Sequence, residues 1–109
     1  MWQRGANVSA YGTFTAPGTV TFQLQRPGVL MVSGDVWRSP INSQNDGIIG
    51  LIINGTTCAL DRSIEGVGTN AHASASCVRY LQPGHHSVGA TNVSASYTTL
   101  GWSYVVMEM

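Results

Sequence analysis

Short apolar runs separated by turn signals recur along the sequence, and no segment repeats its apolar residues with the period of a helix. Residues 19–25 alternate strictly between apolar and polar side chains, which predicts a strand with one buried and one solvated face. Asn54 and Gly55 interrupt an apolar stretch and predict a tight hairpin, because a type I′ turn needs positive φ at both central residues. The sequence therefore predicts an antiparallel β-sandwich or barrel that fills residues 1–109 as one domain.

Three segments are apolar on both faces, unlike a strand whose outer face meets water. They are residues 29–32, 48–53 and 102–109. Such a strand in a sandwich needs cover on its outer side, and a second copy of the same chain is the simplest cover. The predicted oligomer interface comprises alternating residues of two strands, which are Ile49, Leu51, Ile53, Trp102, Tyr104 and Val106. The alternative is that loops or the amino-terminal segment cover these faces within one chain.

Charge is scarce in this chain: 9% of residues are charged, and five Lys and Arg balance five Asp and Glu. A sequence without a basic stripe gives no electrostatic support to nucleic-acid binding. No apolar run reaches the roughly 18 residues that a membrane span needs, and the first residues lack the apolar core of a signal peptide. We therefore expect no nucleic-acid partner, no membrane insertion and no export signal.

The residues that carry chemistry are few and dispersed. No spacing places two carboxylates on one face of a predicted strand, so no catalytic site is predicted. His85 and His86 are adjacent and would point to opposite faces of a strand, so the sequence predicts neither a metal site nor a cofactor. Cys58 and Cys77 are the only cysteines, and the missing export signal favours two buried thiols over a disulfide.

Residues 28–109 resemble the tumour-necrosis-factor-like jelly roll, the family that includes the complement globular head. The matching signals are the hairpin LIINGTTCAL, the run YLQPGHHSV and the closing strand GWSYVVMEM. The resemblance implies a homotrimer with the final strand at its centre. Similar folds form head or knob domains of bacteriophage tail fibres and other virion proteins. The family often carries an aspartate where this chain has His85, and no acidic cluster suits calcium, so no metal is expected.

These features predict a non-enzymatic phage virion protein, assembled in the host cytoplasm, that contacts other virion proteins and binds a host surface receptor. It would be the trimeric head domain of a tail fibre or tail tip. An aromatic ring and planar amides in one predicted loop suit a host saccharide; these residues are Trp37, Arg38, Asn42, Gln44, Asn45 and Asp46. The alternative for this loop is a solvated segment with Trp37 in the core. Two other functions stay open: a capsid decoration (cement) protein of the same fold, and a small lectin or hydrolase with an unrecognised site.

Overall fold

The computed structural model describes residues 7–38, 45–65, 71–92 and 98–109. They form eight strands: β1 Asn7–Phe14, β2 Gly18–Leu24, β3 Gly28–Arg38, β4 Asn45–Ile53, β5 Thr56–Glu65, β6 Ala71–Leu81, β7 Gly84–Asn92 and β8 Thr98–Glu108. These strands build two four-stranded antiparallel sheets, with the orders β1-β8-β3-β6 and β2-β7-β4-β5. Two sheets with this order are a jelly roll, so the predicted fold class is confirmed. The described residues contain no helix that could span a membrane.

The predicted hairpin is present and ties the two central strands of its sheet together. Asn54 has φ 53° and Gly55 has φ 79°, as the turn requires. Asn54 donates its backbone N–H to the Ser87 carbonyl at 3.0 Å and accepts the Ser87 N–H on its side-chain Oδ1 at 2.9 Å. The ladder between β4 and β7 thus continues one residue beyond the pair Ile53 and Val88, with a side-chain oxygen in the place of a backbone carbonyl.

A second layer of hydrogen bonds holds the Asn54 side chain in place. Its Nδ2 donates to Nδ1 of His86 at 3.0 Å, and Nε2 of His86 donates to the Gln82 carbonyl at 2.7 Å. These partners require the neutral His86 tautomer with its proton on Nε2, because Nδ1 has to accept. The hairpin turn, β7 and the turn before it therefore form one connected network.

The hydrophobic core lies between the two sheets and uses alternate residues of each strand. In β2 the predicted alternation is confirmed, since Val20, Phe22 and Leu24 face inward while the intervening side chains are exposed. The largest fully buried side chains belong to five strands and are Leu24, Leu30, Ile49, Leu51, Val36, Val88 and Val106. Gly34 also faces inward, where an added Cβ would lie 2.8 Å from Cβ of Trp102. This close approach of β3 to β8 explains a glycine within an apolar strand.

The residues predicted to form an oligomer interface instead lie in the core of one chain. Ile49, Leu51 and Val106 are fully buried, and Ile53 and Trp102 are only 6% and 3% exposed. Tyr104 is half-buried and stacks on Phe14 and Phe22. The prediction chose the wrong face of these strands. A continuous apolar run does not reveal which alternate set points inward, and a shift of one residue exchanges the two faces.

Two further expectations about β5 and β6 are wrong. The glycines and polar residues of the stretch 61–73 favour a long loop, but β5 continues to Glu65 and β6 begins at Ala71. Cys58 and Cys77 form a disulfide, not two thiols, with their Cα atoms 6.3 Å apart. The disulfide joins edge strands of different sheets, a proximity that sequence spacing does not reveal.

Candidate functional site

The outer face of the sheet β1-β8-β3-β6 carries a broad apolar surface at one end. Two rows cross all four strands there, one from Val8 to Tyr80 and one from Tyr11 to Val78. We call these eight side chains the apolar patch: Val8, Met107, Val29, Tyr80, Tyr11, Val105, Met31 and Val78. Tyr80 and Tyr11 are 79% and 76% exposed.

The apolar patch is large for the surface of a single chain. An aromatic side chain presents about 150–250 Å², so the two tyrosines alone leave roughly 300 Å² uncovered. The largest apolar patch on a typical monomer measures about 300–600 Å² in total. Val8 and Val78, which are 59% and 57% exposed, add to this area. Contact with another molecule would remove the exposed area from water.

A row of hydroxyl groups follows the apolar patch. Thr13, Ser103, Ser33 and Ser76 lie side by side across β1, β8, β3 and β6, and we call them the hydroxyl row. The row lies two residues further along each strand, a distance of roughly 7 Å. The outer face thus changes from apolar to polar within one step of the pleat.

Beyond the hydroxyl row, β3 and β6 bring together a carboxylate, an imidazole and an indole. Ser33, Asp35 and Trp37 share the outer face of β3 because they are spaced by two. His72 pairs with Trp37 across the ladder, and its Nε2 lies 3.4 Å from Oδ2 of Asp35. The His72 and Asp35 side chains are 55% and 58% exposed, and Trp37 is 40% exposed. A polar contact so exposed contributes no more than about 1 kcal/mol to stability, so both side chains remain available to a ligand.

Small side chains make this part of the face concave. Gly101 pairs with Asp35 and contributes no side chain to the floor, while the serines around it contribute one hydroxyl each. We call the resulting hollow the polar depression; it has a volume of about 710 Å³. Ligand sites in proteins commonly measure about 300–1,000 Å³. The side chains that line it include no lysine or arginine, and Asp35 is its one carboxylate.

The predicted saccharide residues are not assembled as expected. Trp37 is on the outer face and not in the core, so the alternative reading of its position is wrong. Arg38 ends β3, whereas Asn45 and Asp46 begin β4 in the other sheet. Asn42 and Gln44 lie outside the described residues.

Sequence reasoning did not single out Asp35, and it placed His72 only at the end of a second candidate binding loop, residues 61–72, without its approach to Asp35. The spacing of Asp35 and Trp37 by two residues was a usable signal that they share a face. His72 gave no such signal, because its approach to Asp35 depends on the register between β3 and β6.

The paired histidines of β7 have separate environments. His86 is half-buried and packs against Phe22, with ring centroids 5.8 Å apart, whereas His85 is exposed. Among the residues that the structure describes, no three His, Cys, Asp or Glu side chains are grouped to hold a metal ion.

No protein-family model and no curated protein matches this chain. Its structure is similar to part of a β-glucosidase from Paenibacillus barengoltzii, with a TM-score of 0.54, 15% identity, and coverage of 89% of this chain and 10% of that one. The globular domain of zebrafish complement 1qA gives a TM-score of 0.48 at 11% identity, covering 82% of this chain and 68% of that one. The tripod from the baseplate of bacteriophage Tuc2009 gives a TM-score of 0.49 at 12% identity, covering 90% of this chain and 62% of that one. The likeness to the β-glucosidase shows the fold alone, and this chain spans only a tenth of that protein's length.

Proposed function

We propose that this chain is a non-enzymatic receptor-binding domain of a bacteriophage virion, the homotrimeric head of a tail fibre or tail tip. The observation that carries the proposal is the apolar patch, which spans all four strands of one sheet. The placement in a virion rests on the resemblance of the sequence to phage head domains.

A second copy of this chain is the occupant that best fits the apolar patch. None of its eight residues is charged, so two copies can approach without repulsion or the desolvation of an ion. A stable protein interface buries about 800 Å² per partner, and the apolar patch supplies an apolar centre of the size such an area needs. The hydroxyl row lies along one side of the apolar patch, so the buried area ends there at polar groups that stay in contact with water.

The interface residues that we propose are thus the outward-facing neighbours of those first predicted. On β8 they are Val105 and Met107, which alternate with the half-buried Tyr104 and the buried Val106. The proposed trimer retains the final strand at its centre but uses the opposite face of that strand. This arrangement leaves the core of each chain intact on association.

Native mass spectrometry at low micromolar concentration tests the assembly. We expect a trimer for the wild type and a monomer for Val78→Arg, because a charge at the apolar patch would be buried unpaired. Leu60→Arg is the matched control, since Leu60 is 67% exposed on an edge strand of the other sheet. This control should remain trimeric. A wild-type monomer, or a Val78→Arg trimer, would contradict the proposed interface.

Cell binding tests the receptor role. We expect fluorescently labelled wild-type trimer to be retained on cells of at least one strain in a panel of bacteria, and Val78→Arg to be released faster, because one receptor contact replaces three. Retention on no strain, together with rebinding to stripped phage capsids, would overturn the receptor role and favour a decoration protein.

A further inference from the structure

We propose that the polar depression is the receptor site and that its ligand is a neutral saccharide, with Trp37 stacking on a sugar ring while Asp35 and the hydroxyl row bind hydroxyl groups. This proposal deepens the proposed function, because it assigns the residues and the ligand class of the receptor contact. It differs from the site predicted from sequence, which placed the ligand on the loop after Trp37.

The chemistry of the polar depression favours a ligand with many hydroxyl groups. Asp35 accepts hydrogen bonds only, the serine hydroxyls both donate and accept, and the His72 ring offers two nitrogens. A sugar ring presents neighbouring hydroxyls that donate and accept at the same spacing. The lining combines the hydroxyl groups of threonines and serines with apolar surface from residues such as Phe14 and Ala75, a mixture that suits a sugar, whose ring has polar edges and apolar faces.

The charge of the lining favours neutral ligands over acidic ones. The lining includes one carboxylate and no lysine or arginine. A phosphate, sulfate or uronate group would meet Asp35 without a cationic partner other than His72, which already lies 3.4 Å from that carboxylate. An anionic group bound in the depression would lie beside the Asp35 carboxylate, and like charges repel, so we infer that the ligand carries no net negative charge.

Trp37 supplies the apolar contact that hydroxyl binding alone lacks. It is 40% exposed and pairs with His72, so it lies just outside the lining, beyond the end of the depression farthest from the apolar patch. The C–H face of a sugar can stack on such a ring, which buries apolar area on both partners. Asp35 lies four residues along β3 from Met31, about 13 Å, so a ligand here does not need the surface that the trimer buries.

Gly101 offers a way to block the polar depression without removing any of its polar groups. A Cβ built at Gly101 would meet only Oδ1 of Asp35, at an ordinary distance of 3.6 Å. Gly101→Leu should therefore fold and fill the floor of the depression. Trp37→Ala removes the stacking surface, whereas Trp37→Phe retains an aromatic ring. Leu60→Ala, on the other sheet, serves as the control.

The experiment measures binding of the wild type and these variants to immobilised glucan, mannan and galactan, with heparin as the anionic counterpart. We expect the wild type to bind at least one neutral polysaccharide and not heparin. Gly101→Leu and Trp37→Ala should each weaken binding at least about tenfold, and Asp35→Ala should weaken it about tenfold or more. Trp37→Phe should retain most of the affinity, and Leu60→Ala should bind as the wild type does.

Each contrary result overturns the proposal. Binding that survives in both Gly101→Leu and Trp37→Ala places the ligand elsewhere. Binding to heparin alone contradicts the neutral class, and binding to no neutral polysaccharide contradicts a saccharide site. Native mass spectrometry of the same samples separates this proposal from the trimer: a monomer that binds through Trp37 and Asp35 contradicts the trimer alone, while a trimer that binds nothing contradicts the saccharide site alone.

Discussion

Substitution of Asn54 tests how the hairpin turn stabilises the fold. The residue combines a left-handed backbone, with φ 53°, and two side-chain hydrogen bonds to β7. Asn54→Gly retains access to positive φ but removes both bonds. Each such bond contributes about 1 kcal/mol net, so we expect a loss of about 2 kcal/mol.

Two other variants separate the hydrogen bonds from the backbone conformation. Asn54→Ala loses the same bonds and adds the cost of a left-handed residue with a Cβ, for a total of roughly 3–4 kcal/mol. Asn54→Asp retains the oxygen that accepts the Ser87 N–H and loses only the donor to His86, so we expect a loss of about 1 kcal/mol in stability. The expected order of stability is wild type, Asn54→Asp, Asn54→Gly and Asn54→Ala.

Urea unfolding followed by tryptophan fluorescence, at one fixed protein concentration, measures these differences. A domain of this size should also lose roughly 4 °C in Tm per kcal/mol. Thr57→Ala, at an exposed position in β5, is the control and should change stability little. If Asn54→Ala were as stable as Asn54→Gly, the left-handed backbone conformation assigned to residue 54 would be refuted. A glycine variant within about 0.5 kcal/mol of the wild type would refute the contribution of the side-chain bonds.

Two more predictions concern contacts between distant parts of the chain. The double variant Cys58→Ser/Cys77→Ser should lose about 3 kcal/mol in urea unfolding, because the disulfide closes a loop with a sequence separation of 19 in the unfolded chain. Equal stability of the wild type with and without reductant would contradict this estimate. Glu108→Ala should cost about 1–2 kcal/mol and speed amide exchange at Gln25 and Arg26, since the carboxylate accepts their N–H groups at 2.6 and 3.2 Å and alanine has no acceptor. Unchanged exchange at both amides would show that the carboxylate does not hold this turn.

Local signals in the sequence were sufficient for the fold class and for several strands. The alternation of β2 fixes both its secondary structure and its buried face, because polar residues mark the solvent side. The Asn54–Gly55 turn is equally well specified, since few residues tolerate its backbone angles. Both predictions rely on neighbours in sequence, and both are confirmed.

The interface prediction failed because a continuous apolar run does not show which alternate residues face the core. In β4 and β8 the sequence indicated that both faces avoid water. In β4 this agrees with the buried Ile49 on one face and the half-buried Ile52 on the other. Which alternate set joins the core depends on how the two sheets pack, and a single strand does not contain that information. The outer residues of β8 become visible as a surface only beside Tyr11 and Tyr80 from other strands.

The candidate site was only partly accessible from sequence for the same reason. Trp37 was identified, but the groups around it come from β6 and β8 through ladder pairing. Asp35 and His72 are 37 residues apart in sequence and 3.4 Å apart in the structure. The disulfide shows the same limit, because its prediction rested on the cellular compartment and not on geometry.

The edges of the two sheets affect how copies of this chain can aggregate. Both register shifts fall on edge pairings, at Val8 and Ala10 in β1 and opposite Leu51 and Ile52 in β5. On the edge strand β6, the Ser74 N–H is occupied by the carboxylate of Asp61 at 2.9 Å. Bulges and an occupied amide hinder strand-to-strand addition at these three of the four edge strands, and such addition is the route by which β-proteins grow into fibres. In the proposed trimer, copies would join through a sheet face and not through these edges, so growth would stop once the trimer closes.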